Sequence, residues 1–334
     1  MGRVLRVGLG FLFGLALLAA IGLLLAQSYY EGEGPLEEPR NVVIARGSST
    51  GSVAAELAAA GVIEDARLFH VAAVVTGKNT RLRAGEYAFP AGISLRETLE
   101  LLESGRTVVR RFTVPEGRTS SEVLALLQAT EGLSGEIEAT AAEGSLLPET
   151  YHYSWGDERG QLLERMQRSM QATLGELWEQ RADDLPLQSP EEAVILASIV
   201  EKETGVAEER RVVASVFINR LKRGMRLQSD PTVVYAITKG AEPLGRALTR
   251  ADWQYDDPYN TYQNDGLPPG PIANPGRAAL EAVLDPAESD YLYFVADGTG
   301  GHAFARTLDE HNRNVANWRR IRDGQNSPEP SSPQ

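Results

Sequence analysis

Cysteine is absent from the 334-residue sequence, which excludes disulfide bonds, thiolate metal ligands and a thiol nucleophile. Histidine is almost as scarce, because the chain has only four. They are His70, His152, His302 and His311, and no two of them have the spacing of a metal-ligand pair. We therefore predict that the protein uses neither a metal ion nor any other cofactor.

Positive charge is also in deficit. The chain has 33 lysine and arginine residues against 46 aspartate and glutamate residues, and its formal charge is −13 at pH 7. A chain with this charge does not attract nucleic acid or anionic lipid through its overall electrostatics. We expect no nucleic-acid partner, and the acidic total identifies no other partner by itself.

Charged residues are missing from one long apolar run, residues 7–26, which is long enough to cross a bilayer as a helix. Arg3 and Arg6 precede this run, and several glutamates follow it. By the positive-inside rule, residues 1–6 are expected in the cytoplasm and everything after the run outside it. A cleaved signal peptide is the alternative. An uncleaved anchor is favoured because the run is longer than a usual signal core and residues 24–26 make a poor cleavage site.

The rest of the chain divides by composition and pattern. Residues 27–40 are rich in Gly, Glu and Pro and are predicted to be a linker that lifts the domains off the membrane. Residues 41–113 predict a small α/β subdomain, residues 114–324 a larger domain of mixed helices and strands, and residues 325–334 a disordered tail. The predicted fold class is therefore α+β, with one N-terminal transmembrane helix.

Local signals place individual elements in the two domains. In the small subdomain, residues 41–45 and 84–89 are predicted strands, and Ser94 and Glu97 form a capping box that opens a helix. In the larger domain we predict a helix that is capped by Ser120 or Ser121. Further helices are predicted near 161–180, 189–205 and 207–222, and residues 314–320 are expected to end a last helix. A strand is predicted at 291–297 and an irregular proline-glycine loop at 266–276.

The helix at 189–205 has a glutamate on its apolar face. At about 100° per residue, Glu203 shares a face with Leu196 and Val200, whereas Glu201 falls on the other side. An acid on an apolar face, near the negative end of a helix dipole, resists ionisation. A carboxyl that stays protonated near neutral pH can donate a proton to a leaving group, which makes Glu203 the first candidate for catalysis. In the alternative interpretation, Glu203 turns to solvent or pairs with Lys202 or Arg210.

Three polar clusters follow this helix in the sequence. Gln228, Ser229 and Asp230 form the first, a tyrosine-rich stretch at 259–262 with Asn260 and Tyr262 the second, and Asn274 the third. Carboxamide and hydroxyl groups beside aromatic rings are typical of a glycan-binding groove. Ordinary capped turns are the alternative for each cluster.

Six ordered segments between about residues 145 and 315 resemble the endolytic murein transglycosylases of the YceG/MltG-like family. They are A-S-I-V-E-K-E-T (197–204), V-A-S-V-F-I-N-R-L (213–221), R-L-Q-S-D-P-T (226–232), Y-N-T-Y (259–262), G-L-P-P-G (266–270) and Y-L-Y-F-V-A-D (291–297). The anchor fits this family too, and residues 41–113 look like its LysM-like subdomain.

The resemblance implies an enzyme of the cell inner membrane, with one transmembrane helix and a periplasmic catalytic domain. Such an enzyme cuts nascent peptidoglycan strands internally and so helps to end their elongation. The family's catalytic glutamate precedes Thr in the E-K-E-T motif, which makes it Glu203 here, and Thr204 matches the hydroxyl residue that follows. Glycan strands are the implied substrate, and peptidoglycan synthases are candidate partners.

One carboxylate is enough for lytic transglycosylation, because the muramyl C6 hydroxyl replaces water as the nucleophile. A muramidase of the hydrolase type would need a second carboxylate, for which Asp230 is the candidate. A non-catalytic peptidoglycan-binding protein of the envelope is the remaining alternative. We treat Asp230 as a substrate-binding residue, together with Gln228, Ser229, Asn260, Tyr262, Asn274 and Thr204.

Overall fold

The computed structural model describes residues 2–137 and 140–325. Within those residues it has eleven α-helices and three two-stranded sheets, which confirms the predicted mixture of helices and strands. The chain forms two compact units. The first runs to Arg111 and includes residues 132–134 and 152–157, and the second holds residues 112–131, 135–151 and the chain from Glu158 onward.

The first unit begins with α1, a long apolar helix. Within Arg6–Glu31 of α1, an 18-residue window has a mean hydropathy of 2.6 and is not buried within the protein, so the helix is long and apolar enough to cross a membrane. The other elements of the unit follow α1 in the chain. They are β1 (Arg40–Ile44), α2 (Thr50–Ala59), α3 (Ala66–Val75), β2 (Gly85–Phe89) and α4 (Leu95–Ser104), with α1 itself spanning Gly2–Glu31.

Strands β1 and β2 pair antiparallel, with Val42 opposite Tyr87. Large apolar side chains from the sheet and the helices, among them Phe69, Tyr87 and Phe89, are fully buried and form the core of this unit. The capping box predicted at α4 is confirmed, because Ser94 accepts from the Glu97 backbone and the Glu97 side chain accepts from the Ser94 backbone.

Residues 27–40, which we expected to form a linker, pack against the first unit instead. Helix α1 continues to Glu31, and Leu36 is only 6% exposed. The backbone is held on both sides, because Gly34 N donates to Gly92 O and Gly92 N donates to Leu36 O. The Gly, Glu and Pro content suggested a free chain, but one buried leucine and these backbone hydrogen bonds fix the segment.

The second unit is built around one buried helix, α7. Its residues Leu196, Ile199 and Val200 have no exposed surface, and α8 and α10 pack against it. The elements in chain order are β3 (Val109–Thr113, beginning in the first unit), α5 (Ser120–Ala129), β4 (Thr150–Ser154, ending in the first unit), α6 (Arg159–Glu179), α7 (Pro190–Glu203), α8 (Arg210–Lys222), α9 (Asp230–Thr238), α10 (Arg277–Leu284), β5 (Tyr293–Ala296), β6 (His302–Ala305) and α11 (Leu308–Gln325).

Several elements differ from the sequence-based expectation. The cap of α5 is Thr119 and not Ser120 or Ser121, because Thr119 closes a capping box with Glu122. Helices α9 and α10 and strands β4 and β6 were not predicted, and the last helix, which begins at Leu308, continues beyond residues 314–320 to Gln325. Of the tail 325–334 that we predicted to be disordered, Gln325 ends α11 and the remainder lies outside the described residues.

Candidate active site

Helix α7 places Glu203 at its last position. The helix starts as the sequence predicts: the Ser189 side chain caps it by accepting from Glu192 N, and Pro190 occupies the first turn. Buried apolar residues anchor the middle of α7, so the direction of its end is fixed by the core. Glu203 leaves this core half-buried, with its carboxyl group facing the segment that precedes α9.

Ser229 is the residue in direct contact with that carboxyl group. Its Oγ donates a hydrogen bond of 2.5 Å to Glu203 Oε1, and Ser229 itself is only 2% exposed. Burial raises the pKa of Glu203 from its ordinary value of 4.5 to about 7, and the negative charge of Asp230 acts in the same direction. The Ser229 hydrogen bond and the positive charge of Arg220 act in the opposite direction. Near neutral pH, Glu203 can therefore both hold and release a proton.

Glu201 occupies a different environment, as the helical face predicted. Its Oε2 accepts the backbone N–H of Gly276 at 2.9 Å, so the carboxylate is held by the proline-glycine loop. Burial raises the pKa of Glu201 as well. The pKa direction therefore does not separate the two acids, whereas their contacts do: Glu201 binds a backbone amide and Glu203 binds the Ser229 hydroxyl.

A compact hydrogen-bond network brings two of the three predicted clusters together. Ser229 N donates to Thr261 Oγ1 at 3.0 Å, and the hydroxyls of Thr232 and Thr261 lie 2.8 Å apart. Gln228 N donates to Thr261 O at 3.2 Å, and Gln228 has a φ of 51°, in the left-handed region. This backbone conformation turns the chain into α9 and leaves the Gln228 side chain exposed beside the Glu203 group.

Asp230 and Tyr262 meet in the same place. Asp230 Oδ1 accepts from Tyr262 OH at 2.7 Å and from Trp253 Nε1 at 3.0 Å. The rings of Trp253 and Tyr262 stack with centroids 5.7 Å apart and an interplanar angle of 23°. Asp230 is exposed and the two rings are half-buried, so the group presents a carboxylate and two aromatic surfaces to solvent.

Asn260 supports this aromatic pair from beneath and is fully buried. Its Nδ2 donates to the carbonyls of Trp253 and Tyr255, and its Oδ1 accepts from Tyr262 N at 3.0 Å. All these contacts are with backbone, so the carboxamide of Asn260 positions the loop.

Sequence reasoning missed three residues: Arg220 and His302, which act on Glu203, and Trp253, which contacts Asp230. Arg220 is 8% exposed and donates to the carbonyls of Leu227 and Leu292, each at 2.6 Å. His302 lies in β6, and its Nδ1 is 2.6 Å from Glu209 Oε2. Both interact electrostatically with Glu203. For Trp253, the sequence signal was its position nine residues before Tyr262, close enough for the two rings to belong to one loop.

The structure does not bring Asn274 into contact with Glu203 or with the residues that surround it. Its side chain is fully buried, with Nδ2 donating to Arg118 O and Oδ1 accepting from Leu146 N at 2.9 Å. These bonds join two loops of the second unit. Thr204 is also buried, and its Oγ1 accepts from Val206 N at 3.0 Å, which ends α7. Both residues contact backbone in this structure, in positions that serve folding.

The chemistry open to this site is proton transfer by a single half-buried acid. In the part of the chain that the structure describes, no group of three or more His, Asp or Glu side chains is arranged to hold a metal ion. The exposed rim formed by Gln228, Asp230, Trp253 and Tyr262 has the hydroxyl, carboxamide, carboxylate and ring surfaces that suit a sugar polymer.

Comparisons with known proteins agree with this picture. The model of the YceG-like family matches residues 42–317. An endolytic murein transglycosylase of Bacillus subtilis is 31% identical, over 92% of this chain and 90% of that protein. One from Streptococcus pneumoniae is 30% identical over 92% of this chain, which spans 64% of the pneumococcal protein's length.

A solved structure is also similar. The crystal structure of a yceG-like protein from Listeria monocytogenes aligns with a TM-score of 0.51 and 30% identity. The alignment covers 83% of this chain and 99% of the Listeria chain. The similarity therefore extends over both units.

Proposed function

The chain belongs to the YceG-like family, and we propose that it is a membrane-anchored lytic transglycosylase that cuts peptidoglycan strands internally. The similar proteins of known name are endolytic murein transglycosylases, which supports this class of enzyme. The observation that carries the proposal is Glu203, a half-buried acid with a pKa of about 7 beside an exposed rim of polar and aromatic groups.

Glu203 acts first as an acid and then as a base. Protonated Glu203 gives its proton to the oxygen that links MurNAc C1 to the next GlcNAc, and the bond between C1 and this oxygen breaks. The C6 hydroxyl oxygen of the same MurNAc then bonds to C1, and its proton passes to the Glu203 carboxylate. The product carries a 1,6-anhydromuramyl end, no water is consumed, and Glu203 regains its starting form. Positioned proton transfer of this kind contributes about 10²–10⁴-fold to the rate.

The surroundings of Asp230 favour this reaction over hydrolysis. A hydrolase needs its second carboxylate to activate water or attack the sugar. Here one oxygen of Asp230 already accepts from both Tyr262 and Trp253. We assign Asp230 to substrate binding with Gln228 and Tyr262, and we assign Ser229 to orienting the Glu203 carboxyl group. Asn260 and Asn274 hold loops of the second unit, and Thr204 fixes the backbone directly after Glu203.

Helix α1 would anchor the enzyme in the cell inner membrane. Arg6 lies at the start of the apolar stretch and Glu31 at its end, so by the positive-inside rule we expect the N-terminus in the cytoplasm and the chain after α1 in the periplasm. This orientation brings the site to newly made glycan strands, where peptidoglycan synthases are candidate partners. We propose that residues 41–113, nearly all of which belong to the first unit, serve as a LysM-like glycan-binding module.

A peptidoglycan digest with matched variants tests the proposal. Glu203→Gln removes the proton donor with little change in shape, and we expect cleavage to fall by about 10²–10⁴-fold. Glu201→Gln is the control on the same helix, because a carboxamide oxygen can still accept from Gly276 N, and it should retain most activity. The products of the unmodified enzyme should carry anhydromuramyl ends by mass spectrometry.

Three results would contradict the assignment. Reducing ends in place of anhydromuramyl ends would mean a muramidase. Absence of cleavage by the unmodified enzyme, with glycan binding intact, would mean a non-catalytic envelope protein. If Glu201→Gln were inactive and Glu203→Gln active, the catalytic acid would be Glu201 and our assignment of Glu203 would be wrong.

A further inference from the structure

Helix α3 of the first unit exposes an apolar stripe that no other described element covers. The stripe consists of Leu68, Val71 and Val75, which are 46%, 56% and 80% exposed. At about 100° per residue, Leu68, Val71 and Val75 fall within about 60° of one another. The core-facing residues Phe69 and Ala73, which are fully buried, lie on the opposite side of the helix. Helix α3 is therefore apolar on its outer face as well as its inner face.

We propose that this outer face of α3 docks on the surface of the lipid bilayer, beside the point where α1 leaves the membrane. The inference rests on the anchoring by α1 proposed above. It adds a second membrane contact, through which the small unit lies on the bilayer surface.

The first argument is that α1 enters the unit without a free linker. Tyr29 and Tyr30, at the end of α1, pack against the core of the unit. Gly32 N donates to Ser28 O, so the helical turn closes directly onto the segment held by Gly92. The unit therefore cannot be lifted far from the membrane end of α1.

The second argument is that α3 begins next to this end of α1. A cavity of about 320 Å³ is lined by Leu25, Ser28 and Tyr29 on one side and by residues 62–64 on the other. The Tyr29 hydroxyl interacts electrostatically with Glu64 and with Asp65, which is the N-cap of α3. The start of α3 is thus level with the last turns of α1.

The depth of these groups follows from helix geometry. If the hydrocarbon core ends near Ala26, Tyr29 lies about 5 Å beyond it, in the headgroup layer that tyrosine favours. Helices that lie on a membrane bury an apolar face about 5–10 Å into this boundary. The exposed leucine and valine stripe begins at the level of the headgroup layer. The lipid chains are therefore the nearest apolar surface on which it can be buried.

The charges around the stripe favour docking through apolar contact over electrostatic attraction to lipid headgroups. The acids Glu64 and Asp65 are exposed at the start of α3, so anionic lipid headgroups would be repelled at this end. Arg67 is exposed at the edge of the stripe, where a long side chain can extend into the headgroup layer. Docking should therefore occur on a zwitterionic bilayer and depend little on salt.

The cysteine-free chain allows a direct test with single-cysteine labels. A fluorescent thiol label is placed in the full chain at Val71→Cys on the stripe, at His70→Cys as the matched control, and at Leu17→Cys within α1. His70 is also exposed on α3 but lies on the other side of the helix. Each protein is reconstituted as a single copy in phosphatidylcholine nanodiscs with nitroxide-bearing lipids, and lipid-dependent quenching is measured.

We expect strong quenching at position 17, several-fold stronger quenching at position 71 than at position 70, and no large effect of salt. Equal and weak quenching at 70 and 71, with strong quenching at 17, would overturn the docking while leaving the anchor intact. Weak quenching at 17 would instead overturn the anchoring itself. If the label at position 71 is shielded from soluble quenchers but is not quenched by lipid, the stripe is covered by protein and not by the bilayer, and the proposal is wrong.

A charge placed on the stripe gives a second readout in the same system. Val75→Glu, introduced into the Val71→Cys chain, should markedly reduce lipid quenching at position 71, because a carboxylate resists burial in lipid. Val75 is 80% exposed, so the change leaves the core intact. Undiminished quenching in this variant would overturn the assignment of the contact to the apolar stripe.

Discussion

Ser229 Oγ donates a 2.5 Å hydrogen bond to Glu203 Oε1, joining the end of α7 to the residue that precedes α9. A donated hydrogen bond stabilises the ionised carboxylate, whereas burial stabilises the neutral acid. These opposing effects leave the pKa of Glu203 at about 7. Because the proposed reaction needs both forms of Glu203 in turn, this contact sets the pH range in which the enzyme works.

Removing the Ser229 hydroxyl should move that range upward. Ser229→Ala deletes a donor to the carboxylate, so the pKa of Glu203 should rise. The first step needs protonated Glu203, and activity should therefore fall at a higher pH than in the unmodified enzyme. We expect the alkaline limb of kcat/KM to shift by up to about one unit, since one pKa unit corresponds to about 1.4 kcal/mol.

The matched control is Ser145→Ala, because the Ser145 hydroxyl donates to the nearby Ala142 carbonyl and takes no part in the hydrogen bonds described around Glu203. The pH profile of this variant should match that of the unmodified enzyme. A downward shift of the alkaline limb in Ser229→Ala would contradict the geometry.

The sequence could single out Glu203 as a candidate for a clear physical reason. Helix α7 is long, strongly capped by Ser189 and Pro190, and buried along most of its length. Periodicity is informative for such a helix, and it separated Glu203 from Glu201 correctly, since their carboxyl groups bind different parts of the protein. The sequence could not find Ser229 as the hydrogen-bond partner, because 26 residues separate the two positions.

Arg220 provides a second test of the electrostatics at Glu203. Its guanidinium group is buried and bonds to the carbonyls of Leu227 and Leu292, so it both holds the Ser229 segment and adds positive charge. Ser229, Asp230, Tyr262 and His302 are the other polar or titratable neighbours of Glu203. Arg220→Met should raise the pKa of Glu203 and move the alkaline limb upward, in addition to lowering kcat.

Arg220→Lys separates these two effects. Lysine keeps the charge, so the alkaline limb should stay near that of the unmodified enzyme. It cannot reproduce the forked contact with two carbonyls, and kcat should fall by about 10²-fold if the Ser229 segment moves by about 1 Å. If both variants lose activity with an unchanged pH profile, Arg220 has only a structural role. Thermal unfolding of both proteins verifies that they fold.

The carboxamides show where sequence reasoning stops. Asn260 and Asn274 were both expected to bind glycan because their residue type suits sugars. In the structure both are fully buried and their amides bond to backbone atoms. Residue type alone cannot tell a carboxamide that faces a groove from one that joins two loops, because the partners are distant in sequence. Helix α9 was missed for a related reason: its start, Ser229-Asp230-Pro231, also has the pattern of a turn.

Asp230→Asn should shift the pH profile in the direction opposite to Ser229→Ala. The negative charge of Asp230 raises the pKa of Glu203, and removing it should lower that pKa. The alkaline limb should then move down by a few tenths to about one unit, given the exposure of Asp230. The asparagine oxygen can still accept from Tyr262 and Trp253, so the aromatic pair should remain in place.

The products of Asp230→Asn also discriminate between mechanisms. In a transglycosylase the variant should keep measurable activity and still form anhydromuramyl ends. In a two-carboxylate hydrolase it should lose nearly all activity, and the unmodified enzyme should yield reducing ends. Complete inactivity of a correctly folded Asp230→Asn protein would therefore contradict our assignment of this residue to substrate binding.

Glu203 should also make the folded protein less stable at alkaline pH. Its pKa is about 7 in the folded protein against an ordinary value of 4.5, so the folded state binds the proton more tightly than the unfolded chain does. The stabilising contribution is complete below about pH 4.5 and is lost as the pH rises through about 7. In Glu203→Gln the side chain is neutral at every pH, so this variant does not lose stability as position 203 ionises. We therefore expect this inactive variant to be more stable than the unmodified protein at pH 8, by on the order of 1–3 kcal/mol.

Thermal unfolding in detergent at two pH values measures this difference. At pH 8 the variant should unfold at a temperature higher by about 2–4 °C per kcal/mol, and at pH 4 the two proteins should unfold together. The pH 4 measurement is the internal control, because both side chains are then uncharged. A stability difference that does not change with pH would mean that Glu203 ionises freely in the folded protein, and the proton donor of the proposed reaction would then be absent at neutral pH.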